Sequence, residues 1–348
     1  MADTVRIGII GAGSYTVNRM LPGFQKAANC EVTTVVNRRR ENAEKVAAQF
    51  GIPHVADDWR QVIESSDVDA VLIGTPPGSH FEMTLAALEA GKHVLCQTRI
   101  ATSADEAREM QVAANAARAR GVHSMLVPPG PFYRGRRFIA HLVKSGYLGR
   151  VTHVQAFNMN GSMADPSTPL SAGRNDIELY GKYNAAQLGL MYDVTVPWTG
   201  HATRVLGHRA TFVEQRPATP GGPLAKAPYP EQVTVISETE SGAVVMNVLN
   251  WAARFGESRI EVYGDQGTLV YKQRGDVLLS AREGDEALRE LPIPPEHDGP
   301  WLVEEEFVRL IIGEAEEPSF GFEDGVRNME YLEAAYNSAM QETWVKLR

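Results

Sequence analysis

Cysteine is nearly absent: Cys30 and Cys96 are the only two in 348 residues. Their separation gives no metal-ligand spacing, which excludes a cysteine-based metal site and leaves both as buried small apolar residues of a reducing cytoplasm. No continuous apolar run approaches a membrane span. The start MADTVRIGII lacks a basic region ahead of a signal-peptide core, because its apolar residues belong to a first strand. An excess of positive charge is missing too. With 34 Lys and Arg against 43 Asp and Glu, the formal net charge is -9, and without a basic stripe to displace counterions nucleic acid is not a partner. What remains is an ordinary globular composition, 43% hydrophobic and 22% charged, in a chain long enough for two domains.

The most informative stretch is Val5 to Thr16, VRIGIIGAGSYT, an apolar run followed by two closely spaced glycines. It reads as a buried strand entering a phosphate-binding turn. Gly11 permits the tight turn, Gly13 the close approach of a pyrophosphate, and Ser14 and Tyr15 open the helix whose N-terminus receives the charge. The third glycine of the fingerprint is replaced by Thr16. One βα unit later the strand Glu31 to Val36 ends in Asn-Arg-Arg-Arg, where an acidic residue would normally hold the adenosine ribose. Asn37 can still hydrogen-bond a ribose, and Arg38 and Arg39 offer guanidinium forks suited to a 2′-phosphate. NADP(H) is favoured, with NAD(H) as the alternative. Three arginines opening a helix also fit a solvated surface run.

A third match is AVLIGTPPGSH at Ala70 to His80, followed by an amphipathic helix and the strand GKHVLC. This order resembles the glucose-fructose oxidoreductase / inositol dehydrogenase / rhizopine-catabolism (Gfo/Idh/MocA) family, whose members carry TPNxxH and then AGKHVxxEKP. Later segments extend the resemblance along nearly the whole chain: RRFIAHLVKSGYLGRVTHV, IEVYGDQGTLVY and FEDGVRNMEYLEAAYNSAMQETWVKL. It adds Thr75, Pro76, His80 and Gln97 to the expected contacts of the cofactor.

Strands and helices alternate to about Val127, implying a doubly wound parallel α/β sheet of Rossmann type with right-handed crossovers. Val127-Pro-Pro-Gly-Pro131 blocks helix and ladder pairing alike and sets the expected boundary, 1–127 against 128–348. Beyond it a helix is expected at Tyr133 to Ser145. Strands are expected at Val151 to Asn158, Thr211 to Gln215, Gln232 to Thr239, Ala243 to Trp251, Arg259 to Tyr263 and Thr268 to Tyr271. Such a run suggests an α+β domain with a mostly antiparallel, open-faced sheet. The resemblance implies that the open face builds a homodimer or homotetramer. Arg216 to Pro230, rich in Pro and Gly, reads as an exposed loop.

The chemistry departs from the resemblance. Family members move a hydride between the nicotinamide and a substrate carbon, while the Lys of EKP and the His of DxGxHxxD handle the hydroxyl proton. Here the first motif reads Gln97-Thr98-Arg99, and a threonine hydroxyl alone is no base. Aligning Leu188 to Gly207 on the second keeps Gly189 and Asp193, and turns the histidine into Pro197 and the last aspartate into Gly200. Both ends of a helix over 188–207 match without a gap. Asp193 is therefore the first candidate for proton transfer, with His201, one helical turn beyond Pro197, and Tyr192, Tyr183, Lys182 and Arg174 as partners from the loop that the resemblance brings into the cleft. Arg99 suits an anionic substrate, through bidentate binding or oxyanion stabilisation, and equally a local salt bridge.

Three functions fit. The first is an NADP(H)-dependent oxidoreductase acting on a small polar hydroxy or oxo compound, a sugar or related acid, with a relocated acid/base group. The second is a non-redox lyase, isomerase or glycosidase on the same fold. The third is a catalytically silent dinucleotide-binding sensor or regulator.

Overall fold

A computed structural model describes residues 4–128, 135–170, 176–183, 187–297 and 302–347. The chain forms two compact units, Met1–Pro128 with Trp301–Met329, and Pro129–Pro300 with Glu330–Arg348.

The first unit holds six parallel strands, β1 Val5–Ile10, β2 Cys30–Val36, β3 His54–Val55, β4 Ala70–Ile73, β5 His93–Cys96 and β6 Ser124–Leu126, in the order β3-β2-β1-β4-β5-β6. Every residue of β4 is buried, as strands covered by helices on both faces require. The strand order reverses between β1 and β4, and a crevice opens outside the carboxyl ends at such a point. Helix starts are locally encoded: Ser103 caps Ala104–Arg118 by accepting from Glu106 N, while the Glu106 carboxylate accepts from Thr102 N.

The expectation that everything after residue 128 forms one domain is corrected here. Val303, Phe307, Val308 and Leu310 pack into the same core as Ile7, Ile9, Phe24 and Leu72, so the amphipathic helix Val303–Ile311 belongs to the first unit.

In the second unit the strands are β7 Val151–Met159, β8 Ala202–Ala210, β9 Gln215–Pro217, β10 Leu224–Lys226, β11 Gln232–Thr239, β12 Val244–Asn250, β13 Arg259–Gly264, β14 Gly267–Lys272, β15 Val277–Arg282, β16 Arg289–Glu290 and β17 Val345–Lys346. Nine of them form one sheet, β16-β15-β14-β13-β7-β12-β11-β8-β17, antiparallel except for the parallel pair β7 and β12. On one face Phe138, Ile139 and Leu142 of helix Arg136–Lys144 and Met191, Val194 and Trp198 of helix Leu188–Thr199 pack with Val154, Val245 and Ile260. The alternate residues of the strands point away from this core. There Leu206, Ile236, Met246 and Gln155 stand in register across four strands, all half-buried.

Three other expectations change. No strand forms at 211–214; the strand is β8, just before it, and it pairs with β11. The helix from Leu188 stops at Thr199, where Gly200 takes a left-handed φ of 74°, and Gly207 lies within β8 instead of ending a helix. The segment Arg216 to Pro230 contains the β9-β10 hairpin and a side chain with 0% exposure, Arg216, so it is not simply an exposed loop. Arg216 donates to Glu231 Oε1 at 2.9 Å, Asp165 O at 2.7 Å and Met163 O at 2.6 Å. Both cysteines are unpaired, Cys96 buried and Cys30 half-buried, and burial pushes the Cys30 thiol up to about 11.

Candidate active site

Gly11 follows β1 at φ 90°, and a Cβ there would meet Thr75 N at 2.9 Å and Thr75 Cγ2 at 2.6 Å. Glycine is thus required both for the turn and for the approach of the loop after β4. A Cβ at Gly13 would meet nothing within 4 Å, and Ser14 beside it is exposed. Helical backbone begins at Ser14, with its middle turn, Thr16–Met20, wound as a π-helix, and Tyr15 half-buried against the core. Thr16 succeeds where the fingerprint has glycine because a neighbour has given up its side chain. A Cβ at Gly74 would lie 2.5 Å from Thr16 Oγ1. The buried Thr16 hydroxyl donates to Gly11 O at 3.1 Å and accepts from Gln97 Nε2 at 3.2 Å, joining the loops after β1 and β5.

At the end of β2, Asn37 engages Ala12 on both sides: its Oδ1 accepts from Ala12 N and its Nδ2 donates to Ala12 O, each at 3.2 Å. It braces the glycine loop, which leaves less of its amide for a ribose than the sequence suggests. Of the three arginines, Arg40 pairs with Glu44 at 2.9 Å and with Asp57. Arg38 and Arg39 are exposed, and their side chains make no hydrogen bond or ion pair among the described residues. They precede helix Arg40–Phe50, where positive charge is disfavoured by the helix dipole unless an anion is near.

The turn after β4 is fixed by His80. It has 0% exposure, and its ring nitrogens lie 2.7 Å from Thr75 O and 2.9 Å from Arg99 O. Burial pushes its pKa down. With both nitrogens against backbone, His80 shapes the rim and does not reach a ligand, which corrects its assignment as a cofactor contact. Thr75 and Pro76 remain half-buried at that rim, with Thr75 Oγ1 accepting from Ser79 Oγ at 2.7 Å. Thr98 donates to Val127 O at 3.2 Å, and the Thr98–Arg99 peptide is cis.

In the second unit, helix Leu188–Thr199 carries Asp193 and Pro197 one turn apart on one face. Asp193 is 7% exposed and Pro197 is exposed. Tyr192, a step round the helix, stacks on Tyr331 at 4.1 Å and has its hydroxyl 2.9 Å from His201 Nδ1. Tyr331 accepts in turn from Asn247 Nδ2 at 3.0 Å, and burial pushes its phenol up to about 12.

The profile "Oxidoreductase family, NAD-binding Rossmann fold" matches residues 5–124. Two C-terminal profiles of the same family, "GFO/IDH/MocA C-terminal domain" and "Oxidoreductase family, C-terminal alpha/beta domain", match residues 137–270 and 213–347. The chain belongs to the Gfo/Idh/MocA family of NAD(P)-dependent oxidoreductases. Levoglucosan dehydrogenase of Pseudarthrobacter phenanthrenivorans is 25% identical to it over 99% of this chain and 98% of the relative. The 1,5-anhydro-D-fructose reductase of Ensifer adhaerens is 27% identical over 83% of each. An oxidoreductase domain protein from Kribbella flavida superposes with a TM-score of 0.85 at 26% identity, covering 99% of this chain and 100% of that one.

For a Gfo/Idh/MocA chain, the remaining candidates separate by position. Lys182 is exposed with its ammonium 4.8 Å from the Tyr183 ring, and its hydrogen bond to Tyr183 raises its pKa, which makes it a poor proton acceptor near neutrality. Tyr183 packs edge-on against Tyr336 at 5.3 Å. His201 lies past the helix end, its N donating to Glu240 Oε2 at 3.0 Å, so it is not a turn beyond Pro197 as the sequence suggests. Arg174 falls outside the described residues, and Arg99 is half-buried on the loop after β5. Sequence reasoning missed the Thr16–Gly74 exchange and Arg136, whose Nη2 donates to Asp193 O at 3.4 Å. The signal for the latter was Pro197, since a proline inside a helix always leaves the carbonyl four residues earlier without its backbone donor. Among the described residues no group of three or more His, Cys, Asp or Glu is placed to hold a metal ion, and no helix is long and apolar enough to cross a membrane.

Proposed function

We propose that the chain is an NADP(H)-dependent oxidoreductase acting on a small sugar-derived hydroxy or oxo compound bearing an anionic group, with Asp193 as the proton-transfer residue. The reading rests above all on the open cradle at the reversal of strand order. Gly13 faces unfilled space, Gly11 and Thr75 close on each other, and Gln97 and Asn37 brace the loop from either side. This set fits a dinucleotide: Gly11, Gly13, Ser14 and Tyr15 would hold the pyrophosphate, Thr75 and Pro76 would line the rim, and Arg38 and Arg39 would take the 2′-phosphate. When bound, the nicotinamide supplies hydride transfer. This chain's own residues orient the substrate and manage its hydroxyl proton. Asp193 would hold that proton, and Arg99 would grip a carboxylate or phosphate. Levoglucosan and 1,5-anhydro-D-fructose, for which the relatives from Pseudarthrobacter and Ensifer are named, are both sugar-derived and support the substrate class.

The test is a change in nicotinamide absorbance over a panel of sugar acids, sugar phosphates, anhydrosugars and neutral polyols. Product without net absorbance change would favour the non-redox reading, and tight dinucleotide binding without turnover the silent one. Cofactor choice has its own check. Replacing Arg38 and Arg39 together by Ser is expected to weaken NADP(H) by about 10- to 100-fold, the scale of one or two exposed charge-assisted hydrogen bonds, while leaving NAD(H) nearly unchanged. Equal loss for both, or tighter NAD(H) binding by the unaltered protein, would exclude the 2′-phosphate role.

The sheet also supports a reading of assembly. Leu206, Ile236, Met246, Val248 and Phe157 give its open face an apolar centre, with the Arg204–Glu238 and Arg259–Glu261 pairs towards its edges. A self-complementary two-fold pairing would cover it. Sedimentation at micromolar concentration is expected to show a dimer or tetramer, and a single 38.1 kDa species would overturn this.

A further inference from the structure

Helix Leu188–Thr199 runs through Pro197, which has no backbone N–H, so the carbonyl of Asp193 cannot receive its usual bond from position 197. The neighbouring hydrogen bonds show how the surrounding turns adjust. Thr195 Oγ1 donates back to Met191 O at 3.2 Å, Thr199 Oγ1 to Thr195 O at 3.2 Å, and Gly200 N to Val196 O at 2.9 Å. The Asp193 carbonyl is served from outside the helix, by Arg136 Nη2 at 3.4 Å. Arg136 stands in the first turn of helix Arg136–Lys144, which has no acidic residue in that turn. A cation there is opposed by the helix dipole, so its own helix gains nothing from an arginine at this place. Its contact with Asp193 gives it a use.

We propose that Arg136 is a positioning residue for Asp193, made necessary by Pro197: the guanidinium replaces the absent helix N–H and holds the turn that carries the carboxylate. The proposal rests on the reading of Asp193 given above, and it deepens that reading by naming what fixes the residue's orientation. In relatives with histidine at position 197, the backbone of that histidine would make this bond itself. Here the loss of the histidine and the recruitment of the arginine are two sides of one change.

The test is a double-mutant cycle in the full chain between Arg136→Met, which keeps an apolar stem and removes the donors, and Pro197→Ala, which restores the N–H. Any other contacts of Arg136 are lost equally in both backgrounds, so the difference isolates the shared carbonyl. With Pro197 present, Arg136→Met is expected to lower the thermal midpoint by roughly 2–4 °C. With a substrate from the panel it is also expected to lower kcat about 10-fold or more, with dinucleotide affinity unchanged. In the Pro197→Ala background the same change should move the midpoint by less than about 1 °C and kcat by less than about twofold. Equal effects of Arg136→Met in the two backgrounds, in midpoint or in kcat, overturn the proposal, as does a loss carried by KM alone. If no substrate turns over, the proposed function fails, and the midpoint cycle decides the Arg136 role by itself.

Discussion

Asp193→Asn is expected to lower turnover by about 10²- to 10⁴-fold, the usual contribution of a general acid or base, while dinucleotide affinity stays where it was. The substitution keeps the size and shape of the side chain, so the packing of helix Leu188–Thr199 against its sheet should survive. The loss then reports on the missing charge and proton. Asp193 is singled out because the positions that match the family's lysine and histidine have lost the means to move a proton: Pro197 has no titratable atom, and Thr98 directs its hydroxyl at Val127 O. Steady-state kinetics with the best substrate of the panel, paired with cofactor titration by fluorescence, separates the two effects. Full activity in the variant, or brisk oxidation of neutral polyols by the unaltered protein, would mean that the catalytic centre lies elsewhere.

Arg216→Met is expected to destabilise the second unit by about 3–5 kcal/mol, because it strands a carboxylate in the interior. Glu231 is 3% exposed, and its Oε2 accepts from Phe212 N at 2.8 Å while Oε1 faces the guanidinium. Removing Arg216 also strips two backbone carbonyls, Met163 O and Asp165 O, of their donor. The double variant Arg216→Met/Glu231→Gln should recover a large part of the loss, since the uncompensated charge costs more than the two missing bonds. Thermal midpoints of the two variants check both statements. A single variant as stable as the parent would show that water reaches Glu231.

The first unit was the more readable part of the chain. Strands β1, β4 and β5 are short apolar runs, almost wholly buried and each followed by a turn signal, so pattern and structure agree there, whereas the two-residue β3, with His54 exposed, carries no such pattern. The second unit hides its elements. Strand β8 reads ATRVLGHRA, with little alternation and a glycine in the middle. That glycine is explained only by tertiary structure: a Cβ at Gly207 would lie 2.4 Å from Ala335 O, more than a hundred residues away in sequence. The neighbouring strands β11 and β12, with regular alternation, were legible. For the site, the cradle glycines were visible as a motif, whereas the roles of Asn37 and His80 were not. Both are polar residues at the right place whose hydrogen-bonding atoms turn out to face backbone groups, and sequence cannot distinguish a polar atom aimed at a ligand from one aimed at a carbonyl.

The return of residues 301–329 to the first unit bears on how the protein is made. The six strands leave the ribosome early, yet the apolar surface that Val303, Phe307, Val308 and Leu310 cover stays exposed until those residues are synthesised. At about 5–20 residues per second, the wait from residue 128 to residue 310 is on the order of 10–40 s. During that time the nascent dinucleotide-binding unit is a sheet with an uncovered apolar flank, the kind of surface that invites aggregation. A chain ended by a premature stop anywhere before the helix Val303–Ile311 would carry that flank permanently.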